Sequence, residues 1–233
     1  MEKAILNYND VFDMLDQHLR EPKEFWEEFY VDREKEIPFF QIKGPDENLV
    51  EYFTHSIQPK RVLELGCGPG RNAIYMAKRG CHVDALDISE NAIDWAKERA
   101  TEEEVDINFH CTSIFDFNFE PHTYDFVYDC GLFHHLAPHR RITYLEIIKK
   151  ALKKGGCFGI VCFNTKGAIN TSDWDVYNEG SLKGGIGYTE ERLKEIFERD
   201  FYIIHFRNMK KIQQPSEVFG EDFLWVSLMQ LKK

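Results

Sequence analysis

Residues 61–70 read RVLELGCGPG, and this stretch decides the fold. The run from Arg61 to Leu65 has the apolar character of a short buried strand, and three glycines at alternate positions follow it. The next segment, 71–79, carries apolar residues at helical spacing and stops at Gly80, which predicts a helix with a glycine cap. A glycine-rich turn between a strand and a helix brings backbone N–H groups close to a ligand. The stretch therefore predicts a ligand site.

Strand and helix patterns continue to alternate downstream of this turn. Further strands are predicted over residues 82–86, 107–111, 124–129, 157–163, 202–206 and 223–231. Helices are predicted after Ser89, from about residue 142 to Gly155 and Gly156, and after Thr189. Alternating strands and helices with short links indicate a parallel sheet that is covered by helices on both faces.

Two acidic residues accompany the glycine turn. Glu64 lies two residues before the first glycine, and Asp87 ends the next predicted strand. In an open α/β sheet both carboxylates lie at the carboxyl ends of adjacent strands, which is the ligand side. A carboxylate at Asp87 could accept hydrogen bonds from two ribose hydroxyls, one with each oxygen. The spacing Gly66-x-Gly68-x-Gly70 differs from G-x-G-x-x-G, which argues against a pyrophosphate over the helix.

Several motifs resemble those of class I S-adenosylmethionine-dependent methyltransferases. VLELGCGPG (residues 62–70) resembles their cofactor signature, and Asp87-Ile88 resembles their ribose-binding acid and adenine-contacting apolar residue. YDFVYD (124–129) looks like their fourth strand, and LKKGGC (152–157) looks like the turn into their fifth. The resemblance implies a Rossmann-like, doubly wound, seven-stranded sheet of order 3-2-1-4-5-7-6, with strand 7 antiparallel.

The resemblance also implies the site residues. The cofactor would be S-adenosylmethionine, with S-adenosylhomocysteine as product. The residues expected to bind it are Glu64, Gly66, Cys67, Gly68, Gly70, Asp87, Ile88, Ser113, Ile114 and Asp129. Ser113 stands where such sequences often carry an Asp for the adenine amino group, so Ser113 and the backbone of Ile114 are expected to take that contact. His134 and Asp129, which border the methyl-transfer position, are the candidate catalytic residues.

The segment DCGLFHHL (residues 129–136) is similar to small-molecule methyltransferases of the thiopurine and tellurite-resistance type. Nucleic-acid amino methyltransferases would instead carry an Asn- or Asp-Pro-Pro-aromatic motif at this place. The chain has 29 Lys and Arg against 40 Asp and Glu, and a net charge of −11 disfavours binding to phosphate backbones. We therefore expect a small-molecule acceptor, methylated by in-line displacement, and no nucleic-acid partner.

Two segments fall outside the alternating pattern. Residues 1–54 are expected to form a helical cover that resembles the N-terminal cover of the same enzymes, with residues 55–233 as the methyltransferase domain. Residues 164–187 form a long connection, which is expected to act as a lid. The aromatic residues of these segments are candidates for acceptor binding: Trp26, Tyr30, Phe39, Phe40, Trp174 and Tyr177.

Other features limit the class of protein. No stretch of the sequence is apolar enough for a membrane span, and six cysteines without a Cys-x-x-Cys pair or an export signal predict a cytoplasmic protein with reduced thiols. His134, His135 and His139 with Asp129 match no known metal motif, so no metal is expected. His134 is open to two interpretations, a general base or orienting group and a packed histidine. A nicotinamide-dependent oxidoreductase and a cofactor-binding protein without transfer remain alternative functions, and the oligomeric state is not indicated.

Overall fold

The computed structural model describes residues 4–233 and contains one seven-stranded sheet. The strands are β1 (Arg61–Leu65), β2 (His82–Asp87), β3 (Asn108–Cys111), β4 (Tyr124–Cys130), β5 (Leu152–Phe163), β6 (Phe201–Asn208) and β7 (Leu224–Leu231). Their order is β3-β2-β1-β4-β5-β7-β6; strands β1 to β5 are parallel, and β7 is antiparallel to both β5 and β6. The predicted fold class is confirmed.

Nine α-helices surround this sheet within residues 4–233. They are α1 (Tyr8–Asp16), α2 (Pro22–Phe29), α3 (Pro38–Gln41), α4 (Glu47–His55), α5 (Arg71–Lys78), α6 (Glu90–Glu102), α7 (Arg140–Ala151), α8 (Asp173–Asn178) and α9 (Glu190–Phe197). Ser89 caps α6 by accepting the N–H of Ala92, and Gly80 follows α5 with a φ of +82°, as the sequence predicts.

Helix α7 ends earlier than its sequence pattern suggests. It stops at Ala151, because Leu152 already pairs with Tyr124 of β4. An irregularity in the pairing of β4 with β5 then carries the chain past Gly155 and Gly156. The apolar residues from 142 to 152 therefore belong partly to the helix and partly to the start of β5.

The core lies on both faces of the sheet, because alternate residues of a strand point to opposite sides. Leu63 of β1 and Val127 of β4 belong to one apolar layer, in which Tyr144 of α7 also lies. Val62 and Tyr128 belong to the layer on the other face. This alternation determines the face of the sheet toward which each acidic side chain near a strand end points.

The N-terminal helices α1 to α4 precede the first strand. The division proposed at residues 54 and 55 falls at the end of α4. Asp46 forms an isolated bridge with Phe219, which joins this region to the loop before β7. Across residues 4–233, none of the helices is both long enough and apolar enough to cross a membrane.

Candidate functional site

A cavity of about 1590 Å³ opens at the carboxyl ends of β1, β2 and β4. Eight of the residues predicted to bind the cofactor line it: Glu64, Gly66, Cys67, Gly68, Asp87, Ile88, Ser113 and Ile114. They come from the first three strands and from the turns that follow them. These strand ends lie next to each other because the strands are parallel, which brings their carboxyl ends to one edge of the sheet. The structure thus brings most of the sequence-predicted site together.

The glycine turn has the geometry of a cradle. Gly68 has a φ of +50°, and a Cβ added there would lie 2.9 Å from the hydroxyl oxygen of Tyr30. Gly70 has a φ of +76°, and a Cβ there would lie 3.0 Å from the Cβ of Ala96 on α6. Both positions therefore require glycine, Gly68 toward the cavity and Gly70 toward the helix behind it. Gly70 supports the turn without lining the cavity.

Asp87 faces the turn from the end of β2. One carboxylate oxygen accepts the N–H of Gly68 at 2.9 Å, and the other accepts the N–H of Ser89 at 2.9 Å. Burial raises the pKa of Asp87 to about 6, although these backbone hydrogen bonds lower it. Because an ionised carboxylate has about four lone-pair sites, Asp87 can still accept a hydrogen bond from a hydroxyl group of a ligand.

Glu64 is the second acid of the cavity. Its side chain is 1% exposed, and its Oε2 atom has no hydrogen-bond partner within residues 4–233. Burial and the nearby charge of Asp46 raise the pKa of Glu64 well above its usual value. A buried carboxylate oxygen without a donor is costly, and a cationic or N–H group of a ligand would satisfy it.

Asp129 does not line the cavity, contrary to the expectation for a cofactor-binding and catalytic residue. It is completely buried and lies on the face of Val127, toward α7, because side-chain direction alternates along β4. Its oxygens accept the N–H of Leu132 at 2.9 Å and the hydroxyl of Tyr144 at 2.5 Å. Burial raises the pKa of Asp129 to about 7. The carboxylate hydrogen-bonds the turn that precedes His134 and stays outside the cavity.

His134 lines the cavity but has little capacity to act as a base. Its Nδ1 atom accepts the backbone N–H of Phe163 at 3.2 Å, and its ring stacks on the Phe163 ring at 3.7 Å between centroids. The neutral ring therefore carries its proton on Nε2. Burial lowers the pKa of His134 well below its usual value. These contacts favour an orienting role, through the Nε2–H donor, over proton abstraction.

The N-terminal aromatic residues divide into two groups. Trp26, Tyr30 and Phe39 line the cavity, as expected for acceptor-binding residues. Phe40 does not, because it lies behind Tyr30 and stacks on its ring at 5.6 Å between centroids. The rings of Phe39 and Phe40 lie edge-on at 5.2 Å between centroids, and sequence alone could not show which of the two borders the cavity.

The connection 164–187 contains α8, and only some of its residues lie at the cavity as the sequence predicts. Trp174 is 79% exposed and does not line the cavity. Tyr177 does not line it either, since its hydroxyl hydrogen-bonds the Nδ1 atom of His139 at 2.6 Å. Neither side chain therefore lies where the sequence analysis expected it, at the cavity. Residues Lys166, Gly167 and 180–184 of this connection line the cavity instead.

Sequence analysis missed the role of α1. His139 uses its Nε2 atom to contact the Oδ1 atom of Asp16 at 2.8 Å, and the Nε atom of Arg140 donates to the Oδ2 atom at 3.0 Å. Partial burial raises the pKa of Asp16, but hydrogen bonds from His139 and Arg140 outweigh this and hold it at about 2. These bonds hold one wall of the cavity in place, since Asp13 and Asp16 line it. No local pattern signals a contact across more than 120 residues.

Glu27 is a second contact that the sequence did not indicate. Its Oε2 atom accepts the hydroxyl of Ser89 at 2.7 Å and the N–H of Glu90 at 2.8 Å. A carboxylate at the N-terminus of α6 is favourable, because the helix end carries unpaired N–H groups and a positive dipole. Glu27 thereby fixes α2, with Trp26, beside the end of β2.

Comparisons with known proteins agree with this geometry. Residues 62–156 match the family of methyltransferase domains. A probable S-adenosyl-L-methionine-dependent methyltransferase, TehB of Haemophilus influenzae, is 28% identical over 163 residues, which are 69% of this chain and 53% of TehB. The chain thus spans about half the length of the curated relatives it matches.

Solved structures share the fold at low sequence identity. A protein studied for the conversion of a disulfide bond into a thioacetal group during echinomycin biosynthesis has a TM-score of 0.70 and 20% identity, over 91% of this chain and 92% of that chain. The 1,6-didemethyltoxoflavin-N1-methyltransferase of Burkholderia thailandensis has a TM-score of 0.62 and 19% identity, over 100% and 94% of the two chains.

Sheet order, glycine turn and acidic strand end together define a Rossmann-like methyltransferase domain. The match of residues 62–156 to a methyltransferase domain and the shared fold support a class I S-adenosylmethionine-dependent methyltransferase.

Proposed function

We propose that this protein transfers the methyl group of S-adenosylmethionine to a small-molecule acceptor by in-line displacement. The observation that carries the proposal is the Asp87 carboxylate, which lies at the end of β2 beside the Gly68 cradle and faces the cavity. A carboxylate that can bind hydroxyl groups, next to a glycine turn without side chains, fits a nucleoside ligand. The unpartnered oxygen of Glu64 adds a place for a cationic group at the other end of the same turn.

The residues present fit this cofactor. Asp87 would accept hydrogen bonds from the ribose hydroxyls, and Ile88 and Ile114 would pack against the adenine ring. Glu64 would bind the amino group at the amino-acid end of the cofactor. Cofactor binding would bring an activated methyl group, on a sulfonium sulfur, into the cavity. The protein's contribution is then alignment and exclusion of water, which contribute much to the rate of such a displacement.

The acceptor would occupy the part of the cavity bordered by Trp26, His134 and Phe163. Aromatic faces there suit a sulfonium cation on one side and an apolar acceptor on the other. Trp26 packs edge-on against His135 at 4.7 Å between centroids, so the N-terminal cover and the turn after β4 enclose this space together. The size of the cavity suits a small molecule beside a nucleoside cofactor.

Isothermal titration calorimetry with S-adenosylhomocysteine and with NAD tests cofactor binding, and the Asp87→Ala variant is the matched control. Wild-type protein should bind S-adenosylhomocysteine, and the variant should bind it at least tenfold more weakly. Binding of NAD in its place would contradict the proposal.

Transfer itself is tested on a panel of thiols, amines, phenols and carboxylic acids with S-adenosylmethionine. Mass spectrometry should detect a methylated product with at least one of these classes. Tight cofactor binding without product from any class would support the alternative of a binding protein without transferase activity.

A further inference from the structure

Arg20 is a cation in the cavity wall that no carboxylate within residues 4–233 neutralises. It lies in the link between α1 and α2, lines the cavity and is exposed to solvent, so it stands where the cavity opens. Its guanidinium lies over the Phe25 ring, 3.3 Å from the centroid. Partial burial lowers the pKa of Arg20, and no anionic group of the described residues opposes this effect. The side chain stays charged at neutral pH, because arginine does not lose its proton in folded proteins.

The wall contains several other cations, and most of them already have carboxylate partners. The ion pairs are Arg71 with Asp46, Arg140 with Asp16, Lys166 with Asp222 and Lys183 with Glu179. Lys23 is exposed like Arg20 and also lines the cavity. Burial and the charge of Glu90 raise the pKa of Cys111, and Lys23 lowers it, so Lys23 lies toward the end of β3. Lys23 is therefore on the side of the cavity that belongs to the nucleoside.

The acidic residues near Arg20 are engaged elsewhere. Glu21 is the N-cap of α2, and its Oε2 atom accepts the N–H of Glu24 at 2.9 Å. Asp13 and Asp16 contact the guanidinium of Arg140 instead. The charge of Arg20 is thus left for a ligand.

Aromatic rings connect Arg20 to the part of the cavity proposed for the acceptor. Phe25 packs edge-on against Trp26 at 5.0 Å between centroids, and Trp26 packs in the same way against His135 at 4.7 Å. Burial lowers the pKa of His135 to about 4, and the charge of Arg20 contributes to this shift. The His135 ring is therefore neutral at pH 7. A molecule that lies against Trp26 would have a cation on one side and a neutral imidazole on the other.

The contact with Phe25 leaves the hydrogen-bonding capacity of Arg20 unused. At this short distance the guanidinium contacts the ring with its face, so its five N–H groups point sideways in its own plane. The contact also restricts the motion of a long side chain, which reduces the entropy lost when a ligand binds. A planar guanidinium whose edges are free matches the two oxygens of a carboxylate.

We propose that the methyl acceptor is a planar, anionic molecule whose carboxylate is bound by Arg20 and whose ring lies against Trp26. The inference rests on the proposed function, because it names the class of acceptor for that site. The carboxylate orients the acceptor and is not itself methylated. The methylated atom is a thiol, hydroxyl or amine group on the same ring, which releases a proton to solvent as it gains the methyl group.

Acceptors that differ only in the carboxylate test this assignment. Para-mercaptobenzoate is compared with para-methylbenzenethiol, and para-hydroxybenzoate with para-methylphenol. Each compound is compared between wild type and Arg20→Gln, so that differences in intrinsic reactivity cancel. For the acids, kcat/KM should fall by about five- to tenfold in the variant, because a charged but partly exposed hydrogen-bonded pair is lost. For the methyl analogues it should change less than about twofold.

A binding measurement makes the test independent of turnover. Calorimetry on the protein saturated with S-adenosylhomocysteine should detect para-hydroxybenzoate. Arg20→Gln should bind this acid about five- to tenfold more weakly than the wild type does. The affinity for para-methylphenol should be the same in both proteins.

Lys23→Gln is the matched control, since it removes another exposed and unpaired cation of the same cavity wall. It should leave kcat/KM for all four compounds close to the wild-type values. Arg20→Lys keeps the charge but loses the planar fork, and it should show a smaller selective loss than Arg20→Gln. Because both positions are exposed, all three variants should unfold at the same urea concentration as the wild type.

Equal losses for an acid and its methyl analogue in Arg20→Gln, or no loss for either, would overturn the assignment. The same selective loss in Lys23→Gln would overturn it as well, since the effect would then come from the general charge of the cavity. A wild-type protein that neither binds nor methylates either acid would also contradict it. Binding of the acid through Arg20 without any methylated product would instead overturn the proposed transfer and leave the anion site standing, so the two failures are distinguishable.

Discussion

The Nδ1 atom of His134 accepts the backbone N–H of Phe163 at 3.2 Å, which ties the turn after β4 to the end of β5. The proton of the neutral ring must then lie on Nε2. The Nδ1 atom is therefore occupied and is not available to take a proton from an acceptor. This contact favours an orienting histidine over a general base, which sequence alone left open.

Replacement of His134 by alanine should lower turnover about tenfold, as expected for the loss of one hydrogen bond to the acceptor. Because burial holds the pKa of His134 well below its usual value, wild type and variant should share the same pH profile between pH 6 and 8. Steady-state rates at several pH values test this. Disappearance of an ionisation near neutral pH in His134→Ala would show that the residue acts as a base. The affinity for S-adenosylhomocysteine serves as the control and should stay close to that of the wild type.

Cofactor affinity should depend on pH through Asp87. The carboxylate has a pKa of about 6 in the ligand-free protein, and only its ionised form accepts two ribose hydroxyls. The dissociation constant of S-adenosylhomocysteine should therefore rise as pH falls below about 6, by up to roughly tenfold for each pH unit. Asp87→Asn should bind more weakly at pH 7 and show little pH dependence between pH 5 and 7. Parallel pH curves for the two proteins would assign the titration to another group.

The free energy of unfolding should depend on pH through the buried carboxyl group of Asp129. Its folded-state pKa of about 7 lies above the usual value of 3.8, so its stabilising contribution is full below about pH 4 and is lost as pH rises through 7. Asp129→Asn keeps an acceptor for the N–H of Leu132 but cannot ionise. Relative to wild type, its free energy of unfolding should rise by a few kcal/mol, at most about 4, between pH 4 and 8. Urea unfolding at several pH values measures this, and a difference that does not vary with pH would contradict it.

The closing of the cavity should depend on Asp16 rather than on Trp174. Asp16→Asn removes the charge that His139 and Arg140 contact, so α1 should open more often. Hydrogen exchange of residues 8–16 should become faster, and the acceptor KM should rise by about three- to tenfold. Trp174→Ala should leave both unchanged, because its side chain lies on the outer surface. A higher KM in Trp174→Ala with normal kinetics in Asp16→Asn would reverse the assignment.

The local sequence pattern determined the sheet and several residues of the candidate site. The alternation of strand and helix sets the sheet, and parallel strands bring their carboxyl ends to one edge. The positions of Glu64, Gly68 and Asp87 around the cavity follow from this, since each is defined by its place at a strand end or in the turn after it. Such features are local in sequence, so a single sequence is enough to predict them.

Tertiary structure alone decided which side chains line the cavity. Asp129 lies one residue before the end of β4, yet its side chain points toward Tyr144, because alternation along the strand turns it to the face that α7 covers. The ion pair of Asp46 with Arg71 and the contact of Asp16 with His139 join segments that are distant along the chain. Neither periodicity nor motif spacing records such a pairing, because it depends on how the N-terminal helices pack against the finished sheet.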